Sequence, residues 1–158
     1  PGARFIAPKW FEPIVLPARS GAVAGSTAGP GGRTVVTVPG IAPLVPAYSE
    51  AIRAGGQVFV SGMTGIKPGT QEIIGGGVAA QTRQTLENIR TLLQAAGASM
   101  AQVSECTVFL VDMADYAAMN TVYASYLPAG RRPARTCIGV TALARGARVE
   151  IDAVAFRG

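Results

Sequence analysis

Residues 78–111 read VAAQTRQTLENIRTLLQAAGASMAQVSECTVFLV, and their pattern indicates the class of fold. The first part repeats core-type residues at spacings of three and four, as a helix with one buried face does. The repeat consists of Thr82, Leu86, Ile89, Leu93 and Ala96. Gly97 follows, where helices often end in a left-handed residue. The pattern therefore predicts a helix over 78–96, which leads into an alternating strand over 105–111.

Similar patterns on either side of this stretch predict the rest of a sheet. Residues 57–61 (QVFVS) alternate after a Gly-Gly turn and predict a strand, with a loop starting at Gly62. The other expected elements are a short strand over 34–38, a helix from Asp112 or Asp115 to Leu127, and strands over 136–140 and 148–156. Three tyrosines at helical spacing are expected to be core residues: Tyr116, Tyr123 and Tyr126.

The order of these elements, ββαβαββ, predicts an α+β fold with a single mixed sheet and two helices on one face. The last strand places Val149, Ile151, Ala153 and Ala155 on one side, and Glu150, Asp152, Val154 and Phe156 on the other. Because both rows contain apolar residues, both faces of the sheet need cover. Oligomerisation through the helix-free face is the simplest way to supply it.

Composition divides the 158 residues into two parts. Seven of the 11 prolines and a Gly-rich run lie in residues 1–45, which we interpret as an extension that packs in part on the domain or on a neighbouring subunit. Residues 46–158 are expected to form one domain. The sequence has no histidine, which excludes a Ser-His-Asp or Cys-His relay within the chain and a zinc site built on imidazole.

Charge, hydropathy and cysteines limit the possible partners and setting. The net charge of +5 is spread thinly, with no basic run longer than Arg131-Arg132, so nucleic-acid binding is not expected. No membrane span is expected, because no segment has about 18 uninterrupted apolar residues. Cys106 and Cys137 do not form a Cys-x-x-Cys pair and are interpreted as free thiols. These features favour a cytoplasmic location.

Two charged residues lie in strand patterns where charges are uncommon. Arg135 opens a strand after Pro133-Ala134 and can present its planar guanidinium to a carboxylate in a bidentate grip. Glu150 lies within the last strand, between two apolar residues, where a carboxylate is unusual unless it has a function. An isolated Arg–Glu pair is more often a structural salt bridge, so spacing alone leaves both interpretations open.

The sequence around these two residues resembles the RidA (YjgF) family of enamine and imine deaminases. The runs PARTC (133–137) and VEIDA (149–153) match its C-terminal signature, and the resemblance covers about residues 45–157. Similar residues upstream are Tyr48, Val60-Ser61-Gly62, AQTRQ (80–84), Leu86-Glu87-Asn88, Ala95-Ala96-Gly97, Thr107-Val108-Phe109 and Met119-Asn120. Met63-Thr64 and Gly139 depart from the family pattern at positions expected to shape the pocket.

The resemblance implies a chorismate-mutase-like homotrimer without cofactor or metal, with active sites between subunits. Its implied reaction converts 2-enamine and 2-imine carboxylic acids to 2-keto acids and ammonia. Arg135 would bind the substrate carboxylate, and Glu150 would orient or activate the attacking water. The other residues implied to bind substrate are Tyr48, Ser61, Gly62, Asn120 and Cys137.

Imine chemistry is compatible with a chain that lacks histidine. An imine carbon is already electrophilic, so hydrolysis needs a placed water, proton transfer and a fixed substrate more than a strong nucleophile. A carboxylate in an apolar cleft can act as the base. Two alternatives stay open. One is a trimer of this fold that binds small carboxylates without catalysis. The other is RNA binding or cleavage, which is disfavoured by the dispersed positive charge and by the lack of a histidine as general base.

Overall fold

A computed structural model describes residues 32–43 and 45–157. It shows a six-stranded mixed sheet in the spatial order β1-β2-β3-β6-β4-β5, packed with two α-helices. The strands are β1 (Thr34–Val36), β2 (Ala51–Ala54), β3 (Gln57–Thr64), β4 (Val103–Leu110), β5 (Ala134–Gly139) and β6 (Val149–Phe156). The helices are α1 (Gly77–Ala95) and α2 (Tyr116–Ser125). The predicted α+β class with one mixed sheet is confirmed.

Helix α1 matches its prediction to within one residue at each end. The predicted buried face is confirmed, because all five residues of the repeat are at most 1% exposed. The Gly97 N–H donates to the Gln94 carbonyl at 3.0 Å, and the Ala98 N–H donates to the Leu93 carbonyl at 2.8 Å. Gly97 has a φ of 77°, which glycine adopts without strain, so it closes the helix as predicted.

Buried polar residues of α1 connect the helix to the loops at one end of the sheet. The Asn88 side chain donates to the carbonyls of Thr64 and Ile66 at 3.2 and 2.9 Å. The Gln81 side-chain oxygen accepts from the Arg148 N–H at 2.8 Å. These bonds hold the end of β3 and the start of β6 against α1.

Strands β2 and β3 differ most from their predictions. No strand was placed over 51–54, yet β2 pairs antiparallel with both β1 and β3. Gly55 and Gly56, both with positive φ, join β2 to β3 as the expected tight turn. The loop expected at Gly62 is wrong: β3 continues to Thr64, because a bulge between Val60 and Met63 carries the strand past the glycine.

The other elements shift by smaller amounts. Asp112 caps a short 3₁₀ turn through the Ala114 N–H, and α2 begins only after it. This helix ends at Ser125 rather than at Leu127. Strand β1 lies within the segment interpreted as an extension and adds a strand to the sheet next to β2. The expected packing of residues 1–31 lies outside the described residues.

One face of the sheet is covered by the helices, and the opposite face is partly exposed. The β6 row of Val149, Ile151, Ala153 and Ala155 is buried on the helix side. On the opposite face, the side chains of Phe59, Ile138 and Phe156 are 42%, 44% and 55% exposed. A single protomer therefore leaves apolar surface open on its helix-free face, where an oligomeric contact was expected.

Candidate active site

A cavity of about 770 Å³ lies at the end of the sheet where β3 ends and β6 begins. Its walls include four of the residues that the family resemblance implied: Tyr48, Ser61, Gly62 and Glu150. The other lining residues are Val45, Glu50, Met63, Thr64, Ile66, Ala144 and Arg145. The volume lies within the range of pockets that bind small organic molecules.

Glu150 approaches the backbone of Gly62 closely inside this cavity. A Cβ atom added to Gly62 would lie 2.8 Å from the carboxyl carbon of Glu150, so a side chain at position 62 would require the carboxyl group to move. The bulge in β3 is what brings Ser61 and Gly62 to this position, because two residues of β3 oppose one residue of β6 there. The Ser61 hydroxyl donates to the Ser49 carbonyl at 2.7 Å, so its position is fixed.

The carboxyl group of Glu150 takes up a proton more readily than an ordinary glutamate. Burial raises its pKa, and the negative charge of Asp152 on the same side of β6 raises it further. Asp152 is itself held by the Thr107 N–H, which donates to Oδ1 at 2.8 Å. A carboxylate with a raised pKa is suited to take a proton from water and to return it.

Arg135 lies in a separate cleft of about 270 Å³ next to α2. Its Nη1 donates to Asn120 Oδ1 and its Nη2 to the Tyr116 hydroxyl, each at 2.8 Å. The guanidinium carbon lies 4.7 Å from the centroid of the Tyr123 ring. Two of the five donor hydrogens are used in this way, and the remaining ones suffice for a bidentate carboxylate.

Arg135 and Glu150 do not form a salt bridge within one protomer. Across the sheet, Arg135 pairs with Cys106, and Cys106 pairs with Ala153, three residues beyond Glu150. Strand spacing then places the Cα atoms of Arg135 and Glu150 roughly 14 Å apart. Ala153 belongs to the buried row of β6 and Glu150 to the other row, so the two side chains leave the sheet on opposite faces.

The predicted site residues therefore fall into two groups within a protomer. Tyr48, Ser61 and Gly62 lie with Glu150 in the cavity. Asn120 lies with Arg135 in the cleft, where it bonds the guanidinium. Cys137 follows Arg135 on β5, two residues along and on the same side of the strand.

The two cysteines are free and remain thiols. Burial raises the pKa of Cys106. Burial also raises the pKa of Cys137, and the nearby positive charge of Arg135 offsets this only in part. Neither environment favours a thiolate nucleophile. Within residues 32–43 and 45–157, no three His, Cys, Asp or Glu side chains are grouped to hold a metal ion.

Three residues near the site were missed or assigned wrongly. The core prediction for Tyr116 is wrong: it is 38% exposed and bonds Arg135, because α2 begins at this residue and leaves it at the edge of the core. Glu50 lines the cavity although only 7% of it is exposed. Arg145, also on the wall, has the uncommon φ of 56° for a residue with a side chain. The sequence contains a signal for the role of Tyr116: it lies at helical spacing from Asn120 and Tyr123, so the three side chains are expected near one another.

Comparisons with known proteins agree with the fold and with the resemblance. The profile of the family described as Endoribonuclease L-PSP matches residues 41–157. A RutC family protein of Pyrococcus horikoshii is 45% identical over 115 residues, which are 73% of this chain and 90% of the relative. The chain belongs to the RidA/YjgF family.

Two further RidA-family relatives connect the chain to a named activity and to a solved structure. The 2-iminobutanoate/2-iminopropanoate deaminase of Mus musculus is 36% identical over 126 residues, which cover 80% of this chain and 93% of the mouse protein. The crystal structure of RidA from an Antarctic Psychrobacter superposes with a TM-score of 0.72 at 34% identity, covering 77% of this chain and 98% of the other. Among the described residues, no helix is long and apolar enough to cross a membrane. The cytoplasmic location stays a prediction.

Proposed function

We propose that the protein is a hydrolytic deaminase that converts 2-enamine and 2-imine carboxylic acids to 2-keto acids and ammonia. The observation that carries the proposal is Glu150, a half-buried carboxyl group with a raised pKa, held against Gly62 on the wall of a 770 Å³ cavity. Membership of a family that includes imine deaminases supports the same reaction class.

We further propose that each active site is assembled from two subunits of a homotrimer. Within one protomer, Arg135 and Glu150 lie on opposite faces of the sheet, so a substrate of a few carbon atoms does not reach both. Arg135 has no acidic partner among the described residues and keeps donor hydrogens free for a carboxylate. The open apolar face with Phe59 and Ile138 is suited to a contact between subunits.

The proposed steps use one arginine, one carboxylate and one water. Arg135 of one subunit binds the substrate carboxylate and thereby positions the imine carbon near Glu150 of the next. Glu150 takes a proton from water as the water oxygen bonds to that carbon, and the C=N π pair moves to nitrogen. For a protonated imine, the proton then passes from Glu150 to the nitrogen of the tetrahedral intermediate. The C–N bond breaks as the hydroxyl oxygen forms the C=O bond and gives its own proton to Glu150, and ammonia and the 2-keto acid leave.

Substitution of the two charged residues tests the proposal. The imine of alanine is generated in situ by an amino-acid oxidase, and ammonia release is followed against a buffer blank. We expect Arg135→Ala to lower kcat/KM by about 100-fold or more, because a desolvated bidentate ion pair is lost. Glu150→Gln should lower it by a similar factor of about 100, as expected for the loss of a general base.

Matched controls separate these effects from a general loss of charge. Arg90→Ala removes an exposed arginine whose ion pair, within the described part of the chain, is with Glu87 on α1. Glu72→Gln removes an exposed carboxylate outside the cavity. Both controls should keep full activity. The natural protein could instead bind carboxylates through Arg135 without accelerating ammonia release. That result would show a non-catalytic binder. RNA affinity that falls steeply with salt would favour a nucleic-acid function.

A further inference from the structure

Glu50 is a second carboxyl group on the wall of the cavity, and the proposed reaction does not use it. It immediately precedes β2, and its backbone carbonyl accepts from the Ser61 N–H at 2.9 Å. Only 7% of the residue is exposed. Its carboxyl group makes no hydrogen bond or ion pair with another described residue, and its oxygens are not among the fully buried unbonded atoms, so they remain accessible from the space that Glu50 lines.

The described residues around Glu50 do not supply a partner for its carboxyl group. Arg145 is the one cation on the cavity wall among the described residues, and it is exposed and bonded to the Gln71 side chain. Burial raises the pKa of Glu50, as expected for a carboxyl group that has no cation beside it among the described residues. The space behind Glu50, next to Asn88, measures about 20 Å³, little more than a water molecule needs. A larger partner must therefore come from the cavity side.

We propose that Glu50 is a specificity residue that binds a cationic group at the far end of the substrate side chain. The inference rests on the proposed function, because Glu150 and the Arg135 of a neighbouring subunit hold the imine and the carboxylate. The substrate class is then a 2-imino acid with a basic side chain. An ammonium or guanidinium group would give the carboxylate the charged hydrogen-bond partner that the described residues do not provide.

The lining of the cavity fits such a side chain. Glu50 immediately precedes β2 and Glu150 lies on β6, with β3 between these two strands, so the two carboxyl groups come from different parts of the wall. The apolar residues Val45, Met63 and Ile66 also line the cavity and can cover a methylene chain.

Binding of two matched ligands tests this assignment. The 2-keto acids made from arginine and citrulline have the same shape, but only the first carries a positive charge. We expect the natural protein to bind the arginine-derived acid at least about tenfold more tightly in calorimetry, as a charged partner for a buried carboxylate requires. Glu50→Gln keeps the shape of the side chain and should bring the two dissociation constants to within about twofold of each other.

A control variant and the wild-type affinities show whether Glu50 is responsible for the preference. Glu72→Gln removes the same charge from an exposed position and should leave the preference intact. Equal affinities in the natural protein overturn the assignment without any variant, and so does a preference that survives in Glu50→Gln. Turnover of the two imines is measured in parallel. Loss of turnover with a retained binding preference would contradict the deaminase proposal and leave the cationic subsite supported.

Discussion

The proton affinity of Glu150 is set by its position and by one neighbour. Burial in the cavity is the larger cause of its raised pKa, and the charge of Asp152 is the second. Both residues belong to the row of β6 that faces away from the helices. Strand alternation thus places a second carboxylate two residues from the proposed base, where it makes that base stronger.

Asp152→Asn is therefore expected to shift the acidic limb of the activity profile. Glu150 must be ionised to accept a proton, so kcat/KM falls as the pH falls through its pKa. Removing the charge of Asp152 lowers that pKa, and the limb moves to lower pH. It should remain above the range of an ordinary glutamate because burial is unchanged. The measurement is kcat/KM against pH for both proteins with one imine.

The structure offers a control for this shift. An asparagine at 152 can still accept from the Thr107 N–H through Oδ1, so the strand contact is kept. Glu105→Gln removes an exposed carboxylate whose charge is not a cause of the raised pKa of Glu150. It should therefore leave the acidic limb of the pH profile in place. An unmoved limb in Asp152→Asn would show that a group other than Glu150 controls the activity.

Helix α1 contributes to the cavity without lining it. The carbonyls that Asn88 binds belong to Thr64 and Ile66, and both residues line the cavity. The side chain of Asn88 is in turn fixed by Gln84 Nε2, which donates to its Oδ1 at 2.9 Å. A polar residue in the buried face of the helix thus holds the cavity wall in place.

Asn88→Ala is expected to lower the free energy of unfolding by about 3 kcal/mol, because two carbonyls lose a largely buried donor. Urea denaturation measures this loss. Gln84→Ala removes only the bond to Asn88 Oδ1 and should cost about 1 kcal/mol or less. We also expect Asn88→Ala to lower kcat/KM under conditions where it stays folded. Equal stability losses in the two variants would show that the carbonyl contacts contribute little.

Periodicity made the long elements predictable and left the short ones uncertain. The α1 face was predictable because its apolar spacing depends only on the helix itself. Strand β2 reads AIRA, which has no distinctive local pattern, and it exists because β1 and β3 pair with it on either side. The bulge at Ser61-Gly62 was missed for the same reason, since it is a property of the β3–β6 register.

The candidate site was predictable in its residues but not in its arrangement. Arg135 and Glu150 were identified from strand patterns and from the resemblance, whereas their placement on opposite faces follows from the strand order β6-β4-β5. Glu50 was not identified, because burial of a glutamate next to a short strand depends on the loops that cover it. Contacts distant in the chain decide both features.

The division of the site between two faces leads to a test on the whole assembly. Arg135→Ala and Glu150→Gln are each expected to keep about a hundredth of the natural activity or less when alone. If one site takes Arg135 from one subunit and Glu150 from the next, subunits of the two variants can complement each other. Refolded together in equal amounts, they should recover about a quarter of natural activity, because about one interface in four then receives both intact residues.

This fraction does not depend on how many subunits close the ring, so the complementation tests the shared site separately from the trimer. Sedimentation velocity then counts the subunits. A mixture of Arg135→Ala with the double variant should stay inactive, because no subunit supplies the arginine. If the site lay within one protomer, every protomer in the mixture would lack one of the two residues and no activity would return. Recovered activity would therefore show that each active site binds its substrate with residues from two chains.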